Sequence, residues 1–544
     1  MACSKIFLGD LPELINEIIQ YFHHDYKTLH SCILINRLWC RLAIPLLWED
    51  PFSIKFPKNY HFIEIYLHNL NDDDKTKLNK YEFNNDLIPS NTLFNYPSFI
   101  QHLNTRKIIN SINNWKSAVG ISTTKARNFK KFIHNLLYLI FIENIVNLHS
   151  LEVVLSTSQE EYFNNTLNLI LQNPNLFRNI KNLKLEDLGA ETLIKLSTLI
   201  SSNCNSISSL YFDLNSYNYT KNNNQMIEKY LSQIINSQEN LRRILFDFYE
   251  FTLSLLSLKN SNCSNTLNTI VFCYVDFKNI IGLIEIFNQL NVLESIHIIF
   301  CKSLDTKFIS QIINITKPFK LKSLIFNEIL QIESLILLIQ KFGNNIEDFG
   351  FSGIKESQQL PQLLESVIIY CCKIKFLYLP GELNSQNINL LFNLIENIKQ
   401  NLNYLLIDTY DSHLSSIILQ NLGQILPFKL EYLKLSLVIN TSDFETFLKN
   451  SQNIFIKKLV ITNNRIKDEI EDIFPYIKEY IIKKKRVKYL AIREISTCIM
   501  DCDSLFSLKD KVDILKLYDI QVLDYHSLYI SNVGKFIYDN KYFY

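Results

Sequence analysis

From about residue 148 onward the apolar positions fall in a spaced triplet, apolar-x-x-apolar-x-apolar, that recurs fourteen times. Leu148/Leu151/Val153, Ile180/Leu183/Leu185 and Ile207/Leu210/Phe212 open the series. Ile374/Leu377/Leu379, Leu402/Leu405/Ile407 and Leu430/Leu433/Leu435 lie within it, and Val512/Leu515/Leu517 closes it. The last two apolar residues of each triplet alternate as one face of a strand does. Helical patterns separate the triplets, as in Ala190–Cys204, Phe277–Leu290, Ser385–Gln400, Asp411–Leu426 and Asp468–Lys483. A strand and a helix repeated at this spacing predict parallel strands on one side and helices on the other. No unit of this length buries its own apolar face, so neighbours must stack.

The interval between copies averages about 28 residues, and the pattern resembles leucine-rich repeats. The expected fold is an α/β solenoid, a leucine-rich-repeat horseshoe of parallel strands and outer helices, over residues 148–544. That family carries Asn or Cys three residues past the last apolar strand position. Asn215, Cys301 and Asn464 fit, whereas Leu188, Val275, Ile354 and Val438 do not. The turns must therefore satisfy their backbone groups in other ways, and another α/β solenoid is the alternative.

The first fifty residues follow a different rule. Leu11, Leu14, Ile15, Ile18, Ile19 and Phe22 recur on one helical face. Asp10 and Glu13 form a capping-box pattern around Pro12, which a first helical turn tolerates. His23-His24-Asp25 breaks the run, and two further apolar sets end at Leu47-Trp48, with Pro45 and Pro51 bracketing the exit. A segment this short rarely folds unaided. Leu11, Pro12, Ile15, Ile19, Leu29, Trp39, Leu47 and Trp48, in this order, resemble the F-box. The resemblance implies an all-α module that docks on the Skp adaptor of a cullin–RING (SCF) ubiquitin ligase. Leu11, Pro12, Ile15, Ile19 and Leu29 would face the adaptor, and cullin would be reached through it.

Residues 51–147 read as a mainly helical connector that caps the first repeat, with helices over Ser98–Val119 and Lys125–Val146 and a polar loop near 70–90.

Side chains between the apolar strand positions point to the concave face. The early copies place Glu152, Lys184, Glu186, Tyr211, Asp213, Arg243 and Asp247 there. The middle copies are bland. The late copies offer Phe376, Tyr378, Tyr404, Asp408, Tyr432, Lys434, Tyr489 and Arg493, with Phe376, Tyr404 and Tyr432 in one register. Rings about 4.8 Å apart on successive strands suit a protein target.

Composition narrows the function. A net charge of +1 argues against nucleic acid and anionic membrane as partners. Ten glycines and no GxxxxGK[ST], HExxH or GxSxG motif argue against an enzyme. His297 reads as a surface histidine, and no cofactor is expected. Eleven cysteines without a CxxC pair, and no leader-like N-terminus, suggest a cytoplasmic or nuclear protein with reduced thiols. The basic run Lys483–Lys488 reads as a helix end, with a nuclear-localisation signal as the alternative. The expected function is a substrate receptor of an SCF-type ligase; the alternative is a leucine-rich scaffold without a ubiquitin role.

Overall fold

A computed structural model describes residues 12–23, 25–54, 60–122, 124–144, 147–213, 221–247, 255, 257–260, 262–278, 280, 282–327, 332–352, 360–380, 387–465, 472–482, 484–496, 502–504, 512–513, 515, 520–530 and 533–539. The chain forms two compact units, residues 1–267 and 268–544.

In the first unit three helices, Pro12–Tyr21, Tyr26–Cys32 and Arg37–Trp48, form the N-terminal module. Asp25 and Asn36 cap the second and third, each accepting from a backbone N–H in the first turn. Asp10 lies outside the described residues. The third helix ends at Trp48, as its apolar spacing predicts, and it runs through Pro45. Buried Ala43 and Leu46 hold the turn around the proline in the module's core.

The module has its own core, made by Ile15, Ile19, Leu29, Cys32, Trp39, Ala43 and Leu46. Trp48 turns the other way. Its ring meets Tyr66 at 5.5 Å and Tyr96 at 4.2 Å, and Glu49 O accepts from the Gln101 and His102 amides. The module is therefore anchored on the connector at one end.

The connector departs from its sequence pattern twice. Residues 72–79 are helical, because Asn71 caps Asp74 and three aspartates oppose the helix dipole, while Leu78 is buried. The helix expected from Ser98 begins at Thr105, since His102–Asn104 is taken up as strand β1. Trp115 on that helix is fully buried and donates to Glu64 Oε1 at 3.0 Å.

Strands β1 (His102–Asn104), β2 (Ser150–Val154), β3 (Asn182–Glu186), β4 (Ser209–Asp213) and β5 (Arg243–Asp247) pair in parallel in chain order. Helices such as Ala190–Asn203 and Lys221–Asn236 return the chain between strands. Leu151, Leu183, Leu210 and Ile244 share one register and are buried.

The second unit repeats the scheme. Strands β6 (Thr269–Cys273), β7 (Ser295–Ile299), β8 (Lys320–Phe326), β9 (Asp348–Phe351) and β10 (Phe376–Pro380) are followed by β11 (Tyr404–Asp408), β12 (Lys429–Leu437), β13 (Phe455–Arg465) and β14 (Val487–Ser496). From β7 on, each is parallel to its predecessor. Both units are thus α/β solenoids of the leucine-rich-repeat type. After β14 the rule ends. Strand β15 (Cys502–Ser504) is antiparallel to β14, and β16 (Gln521–Val522) pairs with β14 in parallel. The fourteenth triplet, around Leu515, forms no described strand: residues 512–513 and 515 are helical, and 516–519 lie outside the described residues.

Turn chemistry also differs from the family pattern. Asp187, Tyr274 and Phe300, each the first residue after a strand, take left-handed backbone at φ 58, 54 and 53°. Cys301 behaves as expected: its buried Sγ donates to Phe272 O. Asn464 lies within β13, where it bonds Ser436, and Asn215 lies outside the described residues.

Gly350 on β9 is a position where a side chain has no room. A Cβ there would meet the Tyr378 carbonyl oxygen at 2.5 Å. Gly350→Ala is expected to lower stability by about 1–3 kcal/mol, read by urea unfolding. An unchanged midpoint would show that β9 and β10 separate freely.

Candidate functional site

On the first unit the inter-apolar strand positions pair among themselves. Lys184 Nζ is 2.7 Å from Glu186 Oε2 and 4.4 Å from the centre of the Tyr211 ring. The Tyr211 hydroxyl donates to Asp247 at 3.3 Å, and Asn104 donates to Glu152 at 2.6 Å. Arg106 reaches both Glu186 and Asp187. Lys184, Glu186 and Asp247 are buried, so these charges serve the sheet first.

Asp213 sits among them with its carboxyl pushed up to about 8, by burial and then by Asp247, Glu186 and Asp187, against the pull of Lys184. The folded chain therefore holds a proton that the unfolded chain releases near pH 4. The stability this neutral form contributes is full at low pH and is lost as pH climbs through about 8. Asp213→Asn should flatten the fall in Tm between about pH 4 and pH 8. A parallel profile for the two proteins would place the proton elsewhere.

The middle strands hold a line that the sequence hid. Register sets His297 on β7 beside Ser323 on β8, and Ser323 beside Asp348 on β9. His297 Nδ1 and Ser323 Oγ are 2.6 Å apart, and Ser323 donates to Asp348. All three are at most 1% exposed, which corrects the expectation of a surface histidine. The order matters chemically. Serine lies in the centre and gives its proton to the carboxylate, so histidine cannot serve as its base. The line is a polar cross-strand ladder. Among the described residues no cluster of His, Cys, Asp and Glu could hold a metal, and no helix is long and apolar enough to cross a membrane.

The late strands bring the expected aromatic residues together. Phe376, Tyr404 and Tyr432 are register partners on β10, β11 and β12, with ring centres 6.0 and 6.4 Å apart. The spacing exceeds the strand separation because the rings tilt. Tyr378 packs edge-on to Phe300 and its phenol is pushed up to about 12, chiefly by burial. Lys434 Nζ lies 3.2 Å from Asp408 Oδ2. Tyr489 and Arg493 follow on β14.

This face is not bare. The chain's own C-terminal residues lie on it, with the Phe536 ring 5.7 Å from Phe376 and 5.2 Å from Tyr404. Tyr529 covers Lys434, and Tyr525 covers Arg493. Phe376 and Tyr432 are 2% exposed as a result. No local pattern points to this cover, because it depends on where the C-terminal residues cross strands laid down earlier in the chain. It also changes what Tyr432 does. Tyr432→Ala should now cost stability, roughly 3–5 kcal/mol as for other buried aromatic residues. A guanidinium midpoint equal to wild type would mean the ring is free.

The N-terminal module divides its apolar residues. Ile15, Ile19 and Leu29, expected to face an adaptor, are fully buried in the module's own core. Helical geometry decides this: positions 15, 19 and 22 face the other helices, while 14, 18 and 21 form the adjacent stripe. Pro12 is exposed, and Leu11 lies outside the described residues. The exposed apolar side chains are Leu14, at 39%, Tyr21, at 87%, Leu34, at 75%, and Ile35, at 45%. Sequence periodicity marked the helix but assigned both stripes to one face.

The basic run is partly structural. Arg486 is buried and donates to the carbonyls of Leu448, Ser451 and Ile454, closing the end of helix Thr441–Asn450. Burial lowers its pKa to about 10. The helix expected over Asp468–Lys483 is described only as Phe474–Ile477 and a π turn to Ile482.

No known family profile matches the chain, and no curated protein matches it. Among solved structures, a chain from a crystal structure of the yeast Rad7–Elc1 complex is similar, at 13% identity and a TM-score of 0.31. The match covers 61% of this chain and 90% of that one. A likeness of that size transfers neither partner nor activity.

Proposed function

We propose that this protein is the substrate-recognition subunit of an SCF-type ubiquitin ligase. The observation that carries the reading is the N-terminal module. It has the residue order of an F-box, closes a core of its own, and still leaves Leu14, Tyr21, Leu34 and Ile35 in solvent. Exposed leucine, isoleucine and tyrosine on so small a module fit a protein-docking surface. In this reading that surface holds a Skp-type adaptor, with Pro12 at its edge, and cullin follows through the adaptor.

The target is held by the concave strands β10–β14 of the second unit. The chain performs no bond chemistry. It raises the effective concentration of the target near the ubiquitin-charged enzyme, so that transfer becomes a proximity event. Anchorage of the module through Trp48 and Glu49 suits this role, since a docking element on a loose linker would hold its cargo less well.

Co-purification of the full chain with a Skp-type adaptor tests the reading. Wild type should bind. Leu34→Asp/Ile35→Asp should reduce capture at least about tenfold with Tm unchanged, because neither residue is buried. Failure of wild type to bind leaves the alternative, a leucine-rich scaffold without a ubiquitin role.

A further inference from the structure

The C-terminal residues cross the late strands in reverse order. Gln521 and Val522 pair with Tyr489 and Leu490 of β14. Tyr525 then bonds Thr462 of β13 at 3.0 Å, and Arg493 of β14 lies 5.3 Å from its ring centre. Lys434 of β12 lies 4.9 Å from the Tyr529 ring centre. Phe536 ends the crossing on Tyr404 of β11 and Phe376 of β10. Each of the five strands thus meets the ring or hydroxyl of Tyr525, Tyr529 or Phe536, and β14 pairs with the backbone as well.

We propose that this stretch is a displaceable internal ligand, standing where an aromatic-bearing segment of the target binds. The inference rests on the concave face being the target surface. Three features support displacement. The stretch is built from a two-residue strand and helices of four and six residues, lengths that are unstable without outside contacts. Beyond the strand pairing and the Tyr525–Thr462 hydrogen bond, its contacts with the face are rings on rings and rings on cations, which another chain with tyrosine or phenylalanine could reproduce. Its first step is strand addition at β14, a common way for a foreign peptide to bind. Being tethered, it acts at an effective concentration on the order of millimolar, so a target must bind better than the bare contacts would.

The test uses a fluorescent peptide copying residues 520–540, titrated onto the full chain by anisotropy. Wild type should bind it weakly, because its own copy is seated. Tyr529→Ala/Phe536→Ala in the full chain should bind it at least about tenfold more tightly. Adding Tyr404→Ala to that variant should reverse the gain, and a peptide with alanine at 525, 529 and 536 should not bind. A cooperatively melting double variant that takes up the peptide no better than wild type overturns the proposal. Should the double variant not fold, Phe536→Ala alone gives the same comparison, since that ring is only half-buried. The adaptor reading, measured at the N-terminal module, is unaffected by either result. Peptide uptake by the variant, with target capture indifferent to Tyr404→Ala, would leave the internal ligand standing and remove the target from this face.

Discussion

Lateral stacking of short parallel strands is the constraint on which everything else depends. Leu377, Leu405, Leu433, Leu459 and Leu490 are successive register partners, each at most 1% exposed. A single strand of five residues with one helix cannot hide such a leucine. Its neighbours do so on both sides, and the column is continuous through the unit. Burying a leucine is worth about 2 kcal/mol, so each missing neighbour would expose a comparable loss on either flank. The N-terminal module meets the same difficulty on a smaller scale, closing its own core and resting Trp48 against Tyr66 and Tyr96.

Stacking also governs the polar residues. Parallel register gathers the polar side chains of one face, and they find one another along a strand as well as across strands. Lys184 pairs with Glu186, Tyr211 with Asp247, and His297 with Ser323 and Asp348. Buried polar atoms gain most when every partner is local. The consequence for recognition is that much of the concave chemistry is already satisfied within the sheet. On the late strands the C-terminal residues lie over Phe376, Tyr404, Lys434 and Arg493.

Strand and helix content, the repeat and the late aromatic register were legible in the chain, because each follows from a short period. Thirteen of the fourteen triplets are strands. The exception, around Leu515, lies beyond the point where β15 reverses direction, and a triplet without a parallel neighbour has no reason to be extended. The helix over Asp72–Asn79 was missed because its composition is polar, yet Asn71 and three aspartates stabilise its first turn.

The sequence by itself determined the architecture and the type of each element, since apolar spacing repeats within some thirty residues and is read locally. It also placed Phe376, Tyr404 and Tyr432 in one row. Only the tertiary structure decided which of the residues near the N-terminus are core and which are surface. Ile15, Ile19 and Leu29 went inside while Leu14, Leu34 and Ile35 stayed out, because the angle at which three helices meet is not written in any one of them. Only it decided that His297 is interior, through partners on two other strands. And only it laid Tyr525, Tyr529 and Phe536 across five strands, because contacts between residues so distant in sequence depend on the path of the whole unit.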